Sequence, residues 1–414
     1  MTRIKGHRVV ITGFGAITSL GQTPESILAN VLANKSGIKR MEQWQDIAGL
    51  NTQLGGPVLE FSLPKHYSRK KIRAMGRVAK FATLATEHAL IDADLLGKDV
   101  LSNGQTGIAY GSCGGSSSPL AAFSDVLEKR TTAGITATTY IKLMSHTTAV
   151  NAALFFGLKG RVITTSSACT SSSQAIGYAY EAIKYGQQQV MIAGGAEELC
   201  PTQAAIFDTL YATSLQNDEP TTTPKPFDHQ RDGLVIGEGG CTLILENRDH
   251  ALARGARIYA EVIGFGTNCD AEHVTQPTAE TMQQAMQLAL NDAIIEPSAI
   301  QYVCAHGTAT ERGDIAESNA TAALFNPTTA ISSFKGHFGH TLGACGSLES
   351  MLSIKMMLAG QFAATRNLQQ VDPACGALNY IKDQPLELAC DTIMSNNFAF
   401  GGINTSLIFK KHIE

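Results

Sequence analysis

The stretch VVITGFGAIT (residues 9–18) joins a β-branched run to a Gly-Phe-Gly turn, and AEVIGFGTNC (260–269) repeats that pattern in the second half of the chain. A second pair of similar segments follows, in the same order along each half. TSSACTSSSQAIGYAYEAI (165–183) and GHFGHTLGACGSLESMLSI (336–354) each lead from a turn of small residues into a helical pattern. Two such pairs in the same order predict a duplicated α/β unit.

Between these landmarks, short β-branched runs that end in glycine or serine alternate with helical patterns. The runs are RVVITGFG (8–15), QTGIAYGS (105–112), GRVITTSSA (160–168), QVMIAGGAEE (189–198) and GGCTLILEN (239–247). This alternation indicates parallel, buried sheets covered by helices.

A chain of 414 residues exceeds the size of a single hydrophobic core, so we expect two fused halves, 1–255 and 256–414. The first half is the longer, with inserted helices and loops, and segment 59–96 has the period of a helix.

The overall charge and hydropathy exclude several functions. The net charge of -4 argues against a general nucleic-acid binder, and no apolar run is long enough to cross a membrane. The N-terminus has no secretory pattern, so we expect a cytoplasmic protein. The nine cysteines are odd in number and scattered, without a CxxC pair, which predicts neither a disulfide framework nor a zinc site.

Cys169 lies where a strand pattern ends and a helical pattern begins, among small and hydroxylated residues. A helix N-terminus lowers the pKa of a thiol, because free N–H groups and the helix dipole favour negative charge. The position alone leaves two interpretations open: a reactive nucleophile, or a small buried residue of the kind common at strand–helix turns.

Two histidines follow similar turns. His306 comes after the apolar run IQYVCA, with Thr308 and Thr310 just beyond it, and His340 follows Lys335 in a glycine-rich segment. A single histidine at a strand end is more often structural, but two beside glycines indicate polar groups that converge on one site. Two imidazoles can donate hydrogen bonds to a developing oxyanion or enolate, which suits acyl transfer followed by carbanion chemistry.

Four ordered motifs resemble those of the elongating β-ketoacyl-[acyl-carrier-protein] synthases, the condensing enzymes of fatty-acid and type II polyketide synthesis. The motifs are SSACTSSSQAIG (166–177), HGTATERGD (306–314), KGHFGHTLGACGSLES (335–350) and NNFAFGGINTSLIF (396–409). The resemblance covers the whole chain. It implies a thiolase-like fold, with two pseudo-duplicated α/β halves in five αβαβα layers, and a dimer of like or unlike subunits.

The resemblance also implies residue roles. Cys169 would accept the acyl group, and His306 and His340 would assist malonyl decarboxylation and stabilise the enolate. Lys335 would organise the site, with Glu317 as its ionic partner.

Further residues follow from the same resemblance. The backbone N–H groups of Cys169 and Phe400 would form the oxyanion hole, with Phe400 as a gate. Thr308 and Thr310 would hold the phosphopantetheine arm. The implied mechanism is ping-pong and needs no metal or redox cofactor, since the 4′-phosphopantetheine belongs to the acyl carrier protein, which delivers acyl and malonyl thioesters.

A basic segment, KHYSRKKIRAMGR (65–77), stands out against the negative total charge. Its cations are Lys65, Arg69, Lys70, Lys71, Arg73 and Arg77. In isolation this pattern fits a solvated helix face equally well. It resembles the segment by which the family docks its acidic carrier, which favours a docking role for Lys65, Arg69, Lys70 and Arg73.

Three departures from the family pattern concern the substrate rather than the chemistry. Ala399 replaces a glycine beside Phe400, which restricts the backbone there, and Ile403 replaces a threonine. GSCGG (111–115) is one residue shorter than usual, so Cys113 is expected at the floor of the acyl pocket, where it would admit a longer or bulkier chain.

The favoured interpretation is decarboxylative condensation of a Cys-bound acyl group with malonyl-[acyl-carrier-protein] to give 3-oxoacyl-[acyl-carrier-protein] in fatty-acid synthesis. The alternatives are a ketosynthase of a specialised polyketide or polyene pathway with a partner subunit, a non-catalytic chain-length-factor-like subunit, and a thiolase. The non-catalytic interpretation conflicts with the presence of Cys169, His306, His340 and Lys335. A thiolase would carry a second cysteine in a C-x-G context near the C-terminus, where this chain has FAFGGIN.

Overall fold

The computed structural model describes residues 6–412. Its sixteen strands are β1 (Val9–Thr18), β2 (Lys39–Arg40), β3 (Leu54–Gly56), β4 (Thr106–Gly111), β5 (Val162–Thr165), β6 (Val190–Glu197), β7 (Ile236–Gly237), β8 (Gly239–Asn247), β9 (Ala260–Cys269), β10 (Tyr302–Cys304), β11 (Ala330–Ser332), β12 (Gln361–Phe362), β13 (Asn379–Tyr380), β14 (Leu386–Glu387), β15 (Thr392–Phe398) and β16 (Ile403–Lys411).

Thirteen α-helices connect and cover these strands within the same described range. They are α1 (Pro24–Leu32), α2 (Arg69–Ile72), α3 (Arg77–Asp92), α4 (Leu120–Glu128), α5 (Thr139–Leu143), α6 (Thr147–Phe156), α7 (Ser171–Lys184), α8 (Pro201–Asp208), α9 (Arg248–Ala253), α10 (Ala279–Ala293), α11 (Glu311–Leu324), α12 (Lys335–Phe338) and α13 (Cys345–Ala359). All five strands predicted from β-branched runs are confirmed as β1, β4, β5, β6 and β8.

Eleven strands form one sheet in the order β13-β11-β10-β15-β16-β9-β1-β8-β6-β4-β5. The layers follow from which helices pack on which strands. Helices α3 and α6 cover β1, β8, β6 and β4 from outside, α7 and α13 lie together in the middle, and α10, with α11 against it, covers β9 and β16. The order αβαβα confirms the predicted fold class.

The two halves of the sheet repeat one topology. In the first half, β1–β8 and β8–β6 are antiparallel and β6–β4 and β4–β5 are parallel. The second half repeats this order with β9, β16, β15, β10 and β11. The expectation of purely parallel sheets is therefore wrong, because each half is mixed. The two halves join where β1 pairs with β9.

The first Gly-Phe-Gly turn lies against helix α3. A methyl group on Gly15 would lie 2.0 Å from the carbonyl oxygen of Ala85, so only glycine allows this approach. At the end of the helix, Asp92 accepts the backbone N–H of Phe14 and the O–H of Tyr259, both at 2.9 Å. Tyr259 comes from the second half of the chain, so this carboxylate connects the halves.

The second Gly-Phe-Gly turn lies against α10 in the same way. A methyl group on Gly266 would lie 2.2 Å from the carbonyl oxygen of Ala285. Asp292 accepts the backbone N–H of Phe265 at 3.3 Å and the O–H of Tyr180 at 3.1 Å. Tyr180 belongs to the first half, so the connection between halves is reciprocal.

The helix expected over 59–96 is two helices. The short α2 carries part of the basic segment, and α3 packs its apolar face on the first half of the sheet. The predicted division at residue 255 falls between α9 and β9 and stays a prediction. Within residues 6–412, none of the helices has the length and apolar character that crossing a bilayer requires.

Candidate active site

Cys169 lies at the turn between β5 and α7, and its side chain is 5% exposed. The preceding residue, Ala168, has a φ of 51°, in the left-handed region that L-residues avoid. This conformation lets the chain reverse sharply between strand and helix. As a result, the sulfur faces a pocket that also contains His306 and His340.

His340 presents a hydrogen-bond donor to this sulfur. Its Nε2 lies 2.9 Å from the Sγ of Cys169. Its Nδ1 accepts the backbone N–H of Leu342 at 3.3 Å. Because a backbone N–H can only donate, the neutral ring carries its proton on Nε2. The sulfur therefore accepts the hydrogen bond.

His306 has the same tautomer for a different reason. The side-chain nitrogen of Asn397 lies 3.3 Å from its Nδ1 and 2.6 Å from Oε2 of Glu349. The Glu349 carboxylate accepts hydrogen bonds, so the Asn397 amide must direct its N–H groups toward it and toward His306. The free Nε2–H of His306 thus faces the pocket. The two imidazole rings have centroids 5.1 Å apart, nearly perpendicular.

Both imidazoles are held neutral. Burial lowers the pKa of His306 and His340 well below the ordinary histidine value, and the positive charge of Lys335 lowers each pKa further. A neutral imidazole with its proton on Nε2 can donate to a developing negative charge without giving up a charge of its own.

The nucleophile differs from the expectation of a thiol activated by the helix N-terminus alone. Burial raises the pKa of Cys169 to about 11. The charge of Lys335 and the backbone N–H groups of Phe400 and Cys169, which hydrogen-bond to the sulfur, act in the opposite direction. Because burial outweighs these groups, the resting side chain is a thiol.

Lys335 is fully buried, and its ionic partner is Glu349, which corrects the expected pairing with Glu317. Its Nζ also donates to the carbonyl oxygen of His306 at 2.9 Å. Although burial opposes the charge, Glu349 raises the pKa of Lys335, so the lysine stays protonated.

Glu317 instead holds the backbone that carries His306. Its two carboxylate oxygens accept the N–H groups of His306 and Gly307, both at 2.7 Å. Burial raises the pKa of Glu317 to about 8, although these hydrogen bonds lower it. The residue positions the histidine turn, and it also lines the pocket, as a substrate-site residue would.

The pocket has a volume of about 510 Å³ and leads from the buried sulfur to the surface. Thr308 and Thr310 lie along it, with their hydroxyls 2.9 Å apart. Their role in holding the carrier's arm stays a prediction that this location allows.

Phe400 separates the pocket from an apolar cluster on its other side. Its ring lies 5.2 Å from that of Phe207, and Cys113 packs in the same cluster. Cys113 is absent from the lining of the open pocket, and its place at the floor of an acyl pocket stays a prediction. Gly401 and Gly402, with φ of 86° and 75°, give the loop after Phe400 positive-φ positions despite Ala399, and the gate role of Phe400 stays a prediction.

The predicted docking cations Lys65, Arg69, Lys70 and Arg73 are all exposed, and none forms an ion pair with another described residue. Arg77, in contrast, points inward. It pairs with the buried Glu238 at 2.7 Å and stacks over Phe81.

The ligand atoms of Cys169, His306 and His340 lie within 4.8 Å of one another, a spacing that a soft metal ion could use. Such an ion would need an unprotonated Nε2 on both rings. That would move each proton to Nδ1, which faces an N–H donor in both histidines. The donor set therefore fits a metal poorly.

Sequence reasoning missed Glu349 and Asn397. Both lie inside motifs that were recognised, Glu349 fourteen residues after Lys335 and Asn397 just before the gate loop. Burial is what distinguishes them, since both side chains are fully enclosed next to the histidines. No spacing along the chain shows this.

A five-layered fold with a cysteine and two histidines on its central helices and turns defines a thiolase-like acyltransferase. Models of the beta-ketoacyl synthase N-terminal and C-terminal domains match residues 6–251 and 259–369. The chain therefore belongs to the beta-ketoacyl synthase family, which confirms the resemblance.

Individual relatives agree with this assignment. The chain is 36% identical to 3-oxoacyl-[acyl-carrier-protein] synthase 1 of Haemophilus influenzae over 98% of this chain and 99% of that protein. A crystal structure of a beta-ketoacyl synthase from Burkholderia phymatum shares 53% identity, covers 98% of this chain and 100% of its own, and has a TM-score of 0.97. The ishigamide ketosynthase/chain length factor shares 28% identity over 99% and 100%, with a TM-score of 0.89.

Proposed function

We propose that the protein condenses an acyl group on Cys169 with a malonyl unit on acyl carrier protein, with loss of carbon dioxide, to give 3-oxoacyl-[acyl-carrier-protein] in fatty-acid synthesis. One observation carries this proposal: the Cys169 sulfur lies in a buried pocket beside two neutral imidazoles that both present Nε2–H. The names of the curated relatives, which are 3-oxoacyl-[acyl-carrier-protein] synthases, support it.

In the first half-reaction, the Cys169 sulfur attacks the carbonyl carbon of an acyl-carrier thioester. The carbonyl oxygen becomes an oxyanion next to the backbone N–H groups of Phe400 and Cys169, which point at this region. The bond to the carrier's sulfur then breaks, and that sulfur leaves with the thiol proton. The acyl group stays activated as a thioester on the enzyme.

In the second half-reaction, the malonyl carbon–carbon bond breaks and carbon dioxide leaves. The electron pair moves into the thioester as an enolate, whose oxygen accepts hydrogen bonds from the Nε2–H groups of His306 and His340. The enolate carbon attacks the acyl carbonyl, and the Cys169 sulfur departs as a thiolate, which takes up one proton from water to restore the resting thiol. Lys335 donates to the carbonyl oxygen of His306 and pairs with Glu349, so the two residues hold the surroundings of His306 without lining the pocket themselves.

Intact-protein mass spectrometry with separate half-reactions tests this assignment. We expect His306→Ala to accept an acyl group from acyl carrier protein but to lose malonyl decarboxylation by about 10²–10³-fold, because one enolate donor is gone. Loss of acyl loading with normal decarboxylation in this variant would contradict the assigned roles. A panel of saturated, unsaturated and aromatic acyl carriers shows which group Cys169 carries.

The second candidate is a ketosynthase of a specialised polyketide or polyene pathway that works with an unlike partner subunit. It is favoured by the likeness to the ishigamide ketosynthase/chain length factor and by the small Cys113 in the apolar cluster with Phe400. We expect Cys113→Ile to shorten the accepted chains. The same panel of acyl carriers distinguishes the two candidate functions, since only the specialised enzyme would prefer polyunsaturated or aromatic chains to saturated ones.

For the carrier, we propose docking on the exposed cations of the basic segment. Acidic carriers would be steered by them, so charge reversal should act mainly on the association rate and weaken with salt. Lys70→Glu is expected to lower kcat/KM for carrier-bound substrates at low ionic strength, with the effect shrinking in 0.5 M salt. An unchanged kcat/KM at low salt would remove the segment from the docking surface.

We further propose a dimer through the free edge of the sheet at β5. This strand pairs on one side only, and Val162 on it and Leu154 on the adjacent α6 are 47% and 75% exposed. An unpaired, apolar edge is a template for pairing with another strand, here that of a second copy or a related subunit. Val162→Lys is expected to yield monomers in sedimentation analysis, whereas a dimer with normal stability would exclude this edge.

All nine cysteines are free in the structure. Unpaired thiols on this scale suit a reducing compartment, and we propose the cytoplasm as the location. No prosthetic group of its own is required by the proposed reaction, because the carrier supplies the phosphopantetheine.

A further inference from the structure

The mouth of the active-site pocket carries a cationic side chain, Arg312, that has no role in the proposed mechanism. At the pocket floor lie Cys169, His306 and His340, all buried. At its outer end lie the exposed side chains of Arg312 and His273. The pocket therefore has a reactive end and a charged end.

Arg312 has no hydrogen-bond or ionic partner among residues 6–412. The neighbouring Arg231, which also lines the pocket, is the opposite case. Its side chain is 3% exposed and pairs with Asp372 at 2.7 Å and with Asp314 at 3.7 Å. Of the two guanidinium groups that line this pocket, that of Arg231 is held in ion pairs within the protein, and that of Arg312 is available to a ligand.

Four acids line the pocket with Arg312, and none of them forms an ion pair with it: Asp232, Asp270, Glu311 and Glu317. Asp270 is buried, with Oδ1 bound to Asn404 and Oδ2 unpartnered. The carboxylate of Asp232 accepts hydrogen bonds from Ser214 and from the backbone N–H of Leu215. Glu311 adjoins Arg312 in the first turn of α11, and consecutive helical residues do not face each other. A guanidinium in this position is suited to an external anion.

We propose that Arg312 binds the phosphodiester of the carrier's phosphopantetheine arm, an inference that rests on the proposed function. The thioester end of the arm must reach the Cys169 sulfur, so its phosphate end lies toward the mouth. A guanidinium offers a planar pair of N–H donors that matches two phosphate oxygens.

Two further features favour an anion at the same place. Helix α11 begins at Glu311, so the positive end of its dipole lies at the mouth; of the two acids in its first turn, Asp314 is buried and pairs with Arg231, and Glu311 is exposed. His273 accepts the backbone N–H of Thr275 on Nδ1 at 3.2 Å, which leaves Nε2–H as a donor in the neutral ring. Arg312 thus acts in substrate binding and takes no part in bond making.

The test measures KM of the acyl-loaded enzyme for three malonyl donors: malonyl-pantetheine, malonyl-4′-phosphopantetheine and malonyl acyl carrier protein. Only the last two contain the phosphate, and only the last contains the protein. We expect Arg312→Gln to raise KM about five-fold for both phosphorylated donors, near the upper limit for an exposed ion pair, and to leave KM for malonyl-pantetheine unchanged.

Every other pattern overturns the proposal. A rise for malonyl acyl carrier protein alone would assign Arg312 to the protein surface of the carrier, and an equal rise or no change for all three donors would exclude phosphate recognition. Failure of the wild-type enzyme to turn over any donor would instead refute the proposed function.

Two control variants make the result specific. Lys382→Gln removes one positive charge from an exposed side chain outside the pocket and should leave all three KM values unchanged. Arg312→Lys keeps the charge but loses the paired donors, so its KM for the phosphorylated donors should fall between wild type and Arg312→Gln. Equal KM values for Arg312→Lys and Arg312→Gln would show that charge is not what binds.

Discussion

The two halves of the molecule share one frame but divide the chemistry. Each half packs a Gly-Phe-Gly strand on a helix through an alanine and an aspartate, and each aspartate binds a tyrosine of the other half. The nucleophile comes from the first half only. The imidazoles, the lysine and the buried carboxylate that serve it come from the second.

The central helices show the difference most clearly, since each begins near a cysteine. Cys169 precedes α7 and touches the pocket, whereas Cys345 begins α13 and is fully buried. The Sγ of Cys345 donates to the carbonyl oxygen of Cys169 at 3.1 Å, and burial and Glu349 raise its pKa well above the ordinary value. Duplication thus supplied the frame, and exposure to the pocket separates a nucleophile from a packing residue.

The largest expected effect contrasts these two thiols. Cys169→Ala should abolish acyl loading and condensation, a loss of more than about 10³-fold, because no other described thiol lines the pocket. Cys345→Ala should load normally, since its sulfur meets only protein atoms. Mass spectrometry of both variants after incubation with acyl carrier protein, with circular dichroism to confirm folding, measures the contrast. An acyl group found on Cys345 in the Cys169→Ala variant would contradict the proposed difference between the two thiols.

The second prediction is that the two half-reactions depend differently on pH, because Cys169 comes from the first half and both histidines come from the second. Below a pKa of about 11, the thiolate fraction of Cys169 rises about ten-fold per pH unit, so acyl loading should accelerate between pH 7 and 8. Malonyl decarboxylation by Cys169→Ala should stay level between pH 6.5 and 7, a range that lies below the pKa of about 8 of Glu317. The pKa values of both histidines are lowered, so they bind protons only in more acidic solution. A decarboxylation limb near pH 6.5 would contradict this difference.

The third prediction tests whether the frame is equivalent in both halves. Gly15→Ala and Gly266→Ala each place a methyl group about 2 Å from a helix carbonyl, so each should lower the free energy of unfolding by about 1–3 kcal/mol. Chemical denaturation of both variants gives the comparison. A neutral result at one position alone would mean that the two turns tolerate strain differently.

The smallest effect concerns the aspartates. Asp92→Ala loses two hydrogen bonds, and Asp292→Ala loses two as well as an ion pair with Lys184 at 2.5 Å. Since that pair is partly exposed, it should add less than about 1 kcal/mol. The Asp292 variant is therefore expected to be the less stable of the two by this amount. A double mutant with Lys184→Ala isolates the ion pair.

The strands, the repeat and the reactive residues could be predicted from the sequence because each has a local pattern. Strand direction could not, since a strand buried on both faces has the same residue types in parallel and antiparallel pairs. The partner of Lys335 was also beyond reach. Glu317 and Glu349 are both buried acids near it, and only the tertiary structure brings Glu349 on α13 to the lysine on α12.

The sequence by itself determined the α/β class, the duplication, and the cysteine and histidines that form the site. Only the tertiary structure decided their chemical states. The Cys169 sulfur and His340 are 171 residues apart in the chain, and His306 and Asn397 are 91 apart. Protonation and tautomer depend on such distant neighbours and on burial, whereas a sequence motif records the residue type and its local backbone. For the same reason, the sequence cannot distinguish Arg231 from Arg312. Only the folded structure pairs Arg231 with two aspartates and leaves Arg312 without an ionic partner among residues 6–412.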